Sequence, residues 1–163
     1  MKETPRWLDP EQKAAWDSFI RMQEKLIGRL SRRVQTDSKM SAADYIVLVK
    51  LTEAGGRLRF LELANLVEWE KSRMSHHLTR MEKRGLVRRE SCDSRYPEVA
   101  ITAEGRAAIE ACAPEHAARI RKFFVDVFGP ERLAALGEAS DEVVETIRKH
   151  EASDCPPEVR GTC

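Results

Sequence analysis

One stretch constrains the fold of this chain more than any other: residues 70–105, EKSRMSHHLTRMEKRGLVRRESCDSRYPEVAITAEG. Its first half has helical periodicity. Met74, Leu78 and Met81 fall at i, i+4 and i+7 and so share one face. Lys71, Arg73, Ser75, His76, His77, Arg80, Lys83 and Arg84 are assigned to the opposite face. Gly85 stops the helix, because a residue free to take positive φ closes the last turn. Beyond it, 86–89 (Leu-Val-Arg-Arg) and 98–101 (Glu-Val-Ala-Ile) read as two short strands. Residues 91–97 join them as a polar loop with Arg95 near its tip. A basic helix followed by a basic-tipped hairpin suits a nucleic-acid duplex. The helix can enter the major groove while the hairpin follows the backbone or reaches the minor groove.

Charge is segregated in the same way. Residues 71–95 carry eight Lys or Arg against three acids, a balance of +5 in a chain whose total is +1. Such segregation points to a local anionic partner, which the near-neutral total would not suggest. Aromatics make up 6% of the chain, too few for a platform that stacks single-stranded bases. No apolar run is long enough to span a bilayer, so no membrane partner is expected. The opening MKETPRWLDPEQKAAW lacks the apolar core of a signal peptide, and the expected location is cytoplasmic. Cys92, Cys112, Cys155 and Cys163 show no C-x-x-C spacing and suggest neither a disulfide framework nor a zinc knuckle. His76 and His77 are consecutive and do not share a helical face, so no metal or other cofactor is expected. No nucleophile–base pair or phosphate loop is legible, and the chain does not read as an enzyme.

The flanking chain is helical. Asp9-Pro10-Glu11 is a helix start, with an N-cap oxygen, Pro at the first helical position and an acid in the first turn. The helix is expected to reach about Thr36, with Trp16, Phe19, Leu26, Ile27, Leu30 and Val34 along one broad stripe. That stripe suits core packing or, the favoured reading, a subunit interface. Ser41-Ala-Ala-Asp44 resembles a capping box with Asp in place of Glu, followed by a second helix ending at Gly55-Gly56. A short helix over 60–67, a turn over 65–70 and the basic helix then follow in helix-turn-helix order. Thr102 caps the next helix, which Pro114 should kink or split, and Gly129-Pro130-Glu131 marks a further start. Residues 151–163, with Pro156-Pro157 and no periodicity, are expected to be a disordered tail.

These residues resemble the MarR family of winged helix-turn-helix transcription regulators. Leu78-x-x-Met81-Glu82-x-x-Gly85-Leu86-Val87-x-Arg89 is similar to the family's recognition-helix end and wing entry. Asp93-x-Arg95-x-x-x-Val99-x-Ile101-Thr102-x-x-Gly105 resembles its wing signature, with Ile where Leu is usual. Leu61-Glu62-Leu63-Ala64 matches the short helix before them, so the clear match covers about Leu58 to Gly105. The expected fold class is mainly α with a small β-hairpin wing. The expected organisation is an N-terminal dimerisation helix (1–37), a winged helix-turn-helix region (38–102), C-terminal dimerisation helices (103–150) and the tail. The resemblance implies a homodimer on a pseudo-palindromic operator of double-stranded DNA, commonly released by a small molecule or oxidant.

Roles follow for individual residues. Ser72, Arg73, Ser75, His76 and His77 occupy the first turns of the recognition helix, where base edges are read; Arg73 suits a guanine. Arg80, Lys83 and Arg84 lie further along and suit phosphates, and the start of the second helix at Ser41 could offer backbone N–H groups to another. Arg95 is the expected wing-tip contact and Arg88 supports the wing. By resemblance, Asp93 holds the tip through an ion pair. Cys92 stands beside arginines that favour the thiolate, so redox sensing is an alternative on the same scaffold. Tyr45 and Trp69 are candidate lining for an effector pocket, which in this family often takes a phenolic or aromatic carboxylate. A winged helix that binds protein instead of DNA is the remaining alternative.

Overall fold

The computed structural model describes residues 7–38, 40–90 and 97–154. Their order is α1 (Pro10–Ser38), α2 (Ala42–Glu53), β1 (Arg57–Arg59), α3 (Phe60–Leu66), α4 (Lys71–Lys83), β2 (Val87–Glu90), β3 (Glu98–Ile101), α5 (Ala103–Ile120), a π-helical segment (Arg121–Val125) and α6 (Asp126–Asp154). The backbone forms two compact units, one ending at Ala118 and one beginning at Arg119.

The helix boundaries follow from side-chain and backbone bonds at their ends. Asp9 Oδ1 accepts from the N–H of Glu11 and of Gln12, and Gln12 Oε1 accepts from Asp9 N–H, which closes a reciprocal cap on α1. Ser41 and Asp44 close a second reciprocal cap on α2, as their spacing predicts. Three helices end alike. At the ends of α2, α3 and α4 the second residue past the cap donates to a carbonyl five positions back: Gly56 to Leu51, Trp69 to Ala64 and Leu86 to Met81. The turning residue is Gly55 or Gly85 in two cases, but Glu68 at φ +53° in the third.

The sheet has three strands where the sequence suggested a two-stranded hairpin. β1 pairs antiparallel with β3, and β3 with β2, in the order β1-β3-β2. A three-residue strand has no periodicity to read; only Leu58 of Arg57-Leu58-Arg59 points inward. Its charge has a use. Glu90 and Glu98 stand opposite each other across β2 and β3, and Arg57 Nη1 lies 3.4 Å from the first and 3.8 Å from the second. The cation offsets what would be like-charge repulsion.

The core of the first unit lies where α2, α3, α4 and the sheet meet. Val47, Leu48, Leu51, Leu63, Met74, Leu78, Met81 and Val99 are fully buried. Val34 from α1 and Ile109 and Cys112 from α5 join the same cluster. Thr102 Oγ1 accepts from Gly105 N–H and donates to Gly85 O, so the cap of α5 also ties it to the end of α4. Pro114 does not split α5, which continues to Ile120; helical geometry changes later, in the π-helical segment. In the second unit, α6 is broken at Gly129 (φ +70°, ψ 170°), immediately before Pro130, where a new start was expected. α6 then runs on through residues 151–154, so that part of the expected tail is helix; residues 155–163 lie outside the described residues.

Candidate nucleic-acid interface

α4 presents two faces at helical spacing. Met74, His77, Leu78 and Met81 are buried, while Ser72, Arg73, Ser75, His76 and Arg80 are exposed. The structure therefore brings five of the expected contacts onto one accessible face and removes His77. The correction has a simple origin. His77 lies three residues after Met74 and four before Met81, so the 3.6 period places it inside the apolar stripe despite its polarity.

His77 is held in a buried polar cluster. Its Nδ1 lies 3.1 Å from Arg80 Nη2, and a guanidinium can only donate, so Nδ1 accepts. That places the ring proton on Nε2, which stands 3.1 Å from Asp44 Oδ1, within reach of its charge though poorly aligned for a hydrogen bond. Asp44 is also the acid of the α2 cap, and Oδ2 accepts from Ser41 N–H and from Arg84 Nη1. One carboxylate thus joins the start of α2 to His77 within α4 and to Arg84 at its C-cap, seven residues further on. Arg84, an expected phosphate contact, is paired with Asp44 while its side chain stays 42% exposed. The α2 terminus is a poor phosphate site, because the cap uses the N–H groups of Ser41 and Asp44 and places a carboxylate there.

The wing is tied to the same helix. Arg89 donates from its backbone N–H to Glu82 Oε1 and from Nη2 to Ser75 O, and Nη1 lies 3.1 Å from Glu82 Oε2. Both terminal nitrogens also approach Thr79 Oγ1. Arg88 stays exposed, with its guanidinium on Glu90. Cys92, Asp93 and Arg95 lie outside the described residues.

The two candidate pocket residues separate. Tyr45 lines an open, mostly apolar cavity of about 160 Å³ with Ile27, Leu30, Val34, Ile46 and His116. Its ring lies 4.6 Å from that of His116, and burial pushes the phenol pKa up. Trp69 is not part of that cavity. Its indole lies under Arg73, with the guanidinium carbon 4.3 Å from a ring centroid, and meets the His77 ring edge-on at 5.2 Å and 84°. Asp44, Arg89 and Glu82 are functional supports that periodicity could not assign, since their partners lie on other elements.

Comparison with known proteins agrees with this geometry. The model of the MarR family matches residues 40–95. The crystal structure of AbsC, a MarR family transcriptional regulator from Streptomyces coelicolor, is similar with 35% identity and a TM-score of 0.83, over 88% of this chain and 99% of that one. Sco3205 from the same organism, also a MarR family transcriptional regulator and solved in complex with DNA, is 38% identical with a TM-score of 0.83, over 89% and 92%. NadR, solved in complex with 4-hydroxyphenylacetate, is 25% identical with a TM-score of 0.67, over 88% and 97%. Capped helices, three-stranded wing and exposed basic face, together with relatives above 30% identity along nearly their whole length, establish that this chain belongs to the MarR family of transcriptional regulators.

Proposed function

We propose that the protein is a homodimeric repressor that binds a pseudo-palindromic site in double-stranded DNA and is released by a small aromatic effector. The observation that carries the DNA reading is the exposed face of α4. Ser72, Arg73, Ser75, His76 and Arg80 share it, on a helix anchored behind by Asp44 and beside by Arg89. Arg73 and His76 would read base edges, with Ser72 and Ser75 beside them. Arg80, Arg88 and Arg95 would meet phosphates or the minor groove, with Asp93 supporting the wing tip. The DNA complex of Sco3205 supports this reading.

Dimerisation is supported by apolar side chains that their own unit leaves about half exposed. Trp16, Phe19 and Ile27 on α1 are each 45% exposed or more, and so are Val143, Val144 and Ile147 on α6. Patches of this kind mark interaction surfaces. The effector reading rests on the Tyr45 cavity, which matches the roughly 150 Å³ that accepts one benzene-sized ring in an engineered apolar core. The NadR complex supports a phenolic carboxylate as the ligand class. Among the described residues no helix is long and apolar enough to cross a membrane, in keeping with a cytoplasmic site of action.

Selection of bound duplexes from a random pool at near-physiological salt tests the proposal. Enrichment of an inverted repeat is expected. Uniform recovery of all sequences by folded protein, with or without aromatic acids, would refute sequence-specific binding.

A further inference from the structure

We propose that Trp69 is a positioning residue for sequence readout: its indole carries the Arg73 guanidinium on its face, and the buried Asp44–His77 pair holds the indole in place. This rests on the reading of Arg73 as a base contact.

Three observations converge on Trp69. Its backbone is fixed by the closing turn of α3, where Trp69 N–H donates to Ala64 O at 2.9 Å and Glu68 takes the left-handed conformation. A non-glycine residue at positive φ is held there only when surrounding contacts over-determine it. Its ring is half-buried against the core and abuts His77, whose own ring is buried, bonded to Arg80 at Nδ1 and 3.1 Å from Asp44 at Nε2. The Arg73 guanidinium carbon lies over the ring, 4.3 Å from its centroid.

The geometry suits readout for a physical reason. Arg73 is on an exposed turn of α4, where a long side chain would otherwise sample many rotamers. A guanidinium resting flat on an indole would use its π face and leave its in-plane N–H donors available. Those donors are the edge that pairs with guanine O6 and N7. A phosphate contact would gain little from such confinement, because a phosphate accepts from many directions. Trp69 thus restrains orientation without competing for the hydrogen bonds that read sequence.

The test compares bound-duplex selection for the full-length protein with that for Arg73→Ala, Trp69→Leu, Trp69→Tyr, Trp69→Phe and the double variant Trp69→Leu/Arg73→Ala. Thermal unfolding confirms the fold of each. Arg73→Ala should relax preference at one base pair per half-site. Trp69→Leu should relax the same pair, lowering discrimination there by roughly two- to fivefold. Its effect should vanish in the Arg73→Ala background. Trp69→Tyr and Trp69→Phe keep a ring and should fall between wild type and Trp69→Leu, and this ring series decides the matter should Trp69→Leu not fold. Unchanged preference in the Trp69 variants, or an even loss across all positions, overturns the positioning role while leaving Arg73 as a reader. Unchanged preference in Arg73→Ala overturns the reading of Arg73 itself, and the platform with it.

Discussion

Asp44 is a carboxylate with almost no access to water, and it survives because two elements supply partners for both of its oxygens. Burial by itself pushes its pKa up. The Ser41 backbone N–H, Arg84 and the Ser41 hydroxyl outweigh that and hold it below the usual 3.8. Removing the carboxylate takes one partner from His77 and from Arg84 and opens the α2 cap. Asp44→Ala should therefore cost about 1–3 kcal/mol in urea unfolding, from the lost cap and the lost buried hydrogen bonds. The His77 pKa is lowered too, but here the shift disfavours the charged form. Burial lowers its pKa from 6.5, with Arg80 and Arg73 adding to the effect and Asp44 opposing it. The folded state then takes up the proton less readily than the unfolded chain. Its contribution to stability is complete above about pH 6.5 and is lost as pH falls through the native-state value. Unfolding free energy should decline over that window, and His77→Gln should flatten the decline. At Arg73, Arg73→Ala should cost on the order of 1–3 kcal/mol of preference at one base pair, read by competition between operator variants.

Between elements, a few close approaches decide how the recognition helix, wing and α5 fit. Gly105 is one. A Cβ there would stand 2.1 Å from Leu86 O, a backbone atom that cannot swing aside. Gly105→Ala should destabilise the first unit by about 1–3 kcal/mol or more, visible as a lower melting temperature, because the chain at Leu86 must move. Arg89 is another. It bridges β2 to the Ser75 carbonyl and the Glu82 carboxylate of α4, so Arg89→Ala should loosen the wing against the helix while keeping the backbone bond to Glu82. The expected cost is about 1 kcal/mol of stability, since the pair is partly exposed, with faster amide exchange in β2.

For the whole molecule, the exposed apolar residues of α1 and α6 belong to the proposed dimer. Trp16→Glu/Phe19→Glu should shift sedimentation toward monomer without unfolding the first unit, because neither side chain joins its core. Operator affinity should fall by roughly a hundredfold or more, since each monomer then binds its half-site without the gain from linkage. A dimer that persists in this variant would place the interface elsewhere.

Much of this architecture was legible from local rules. Capping residues at Asp9, Ser41 and Thr102, the glycines that end α2 and α4, and the Met74–Leu78–Met81 spacing act over four or five residues, and the structure places each as read. The exposed face of α4 followed from the same period. What the sequence left open depended on partners distant along the chain. Leu58 becomes a strand residue only because β3 lies beside it, and Glu68 turns like a glycine because the core fixes both of its neighbours. His77 read as a DNA contact until Asp44, 33 residues earlier, is brought against it in the core, and the Arg84 pairing with the same carboxylate spans 40 residues. Trp69 read as pocket lining until Arg73 was seen on its face. Hydrophobic periodicity records which side of a helix avoids water. Which charges meet across the fold is decided by packing, because an ion pair or a stacked ring has no period in the sequence that forms it.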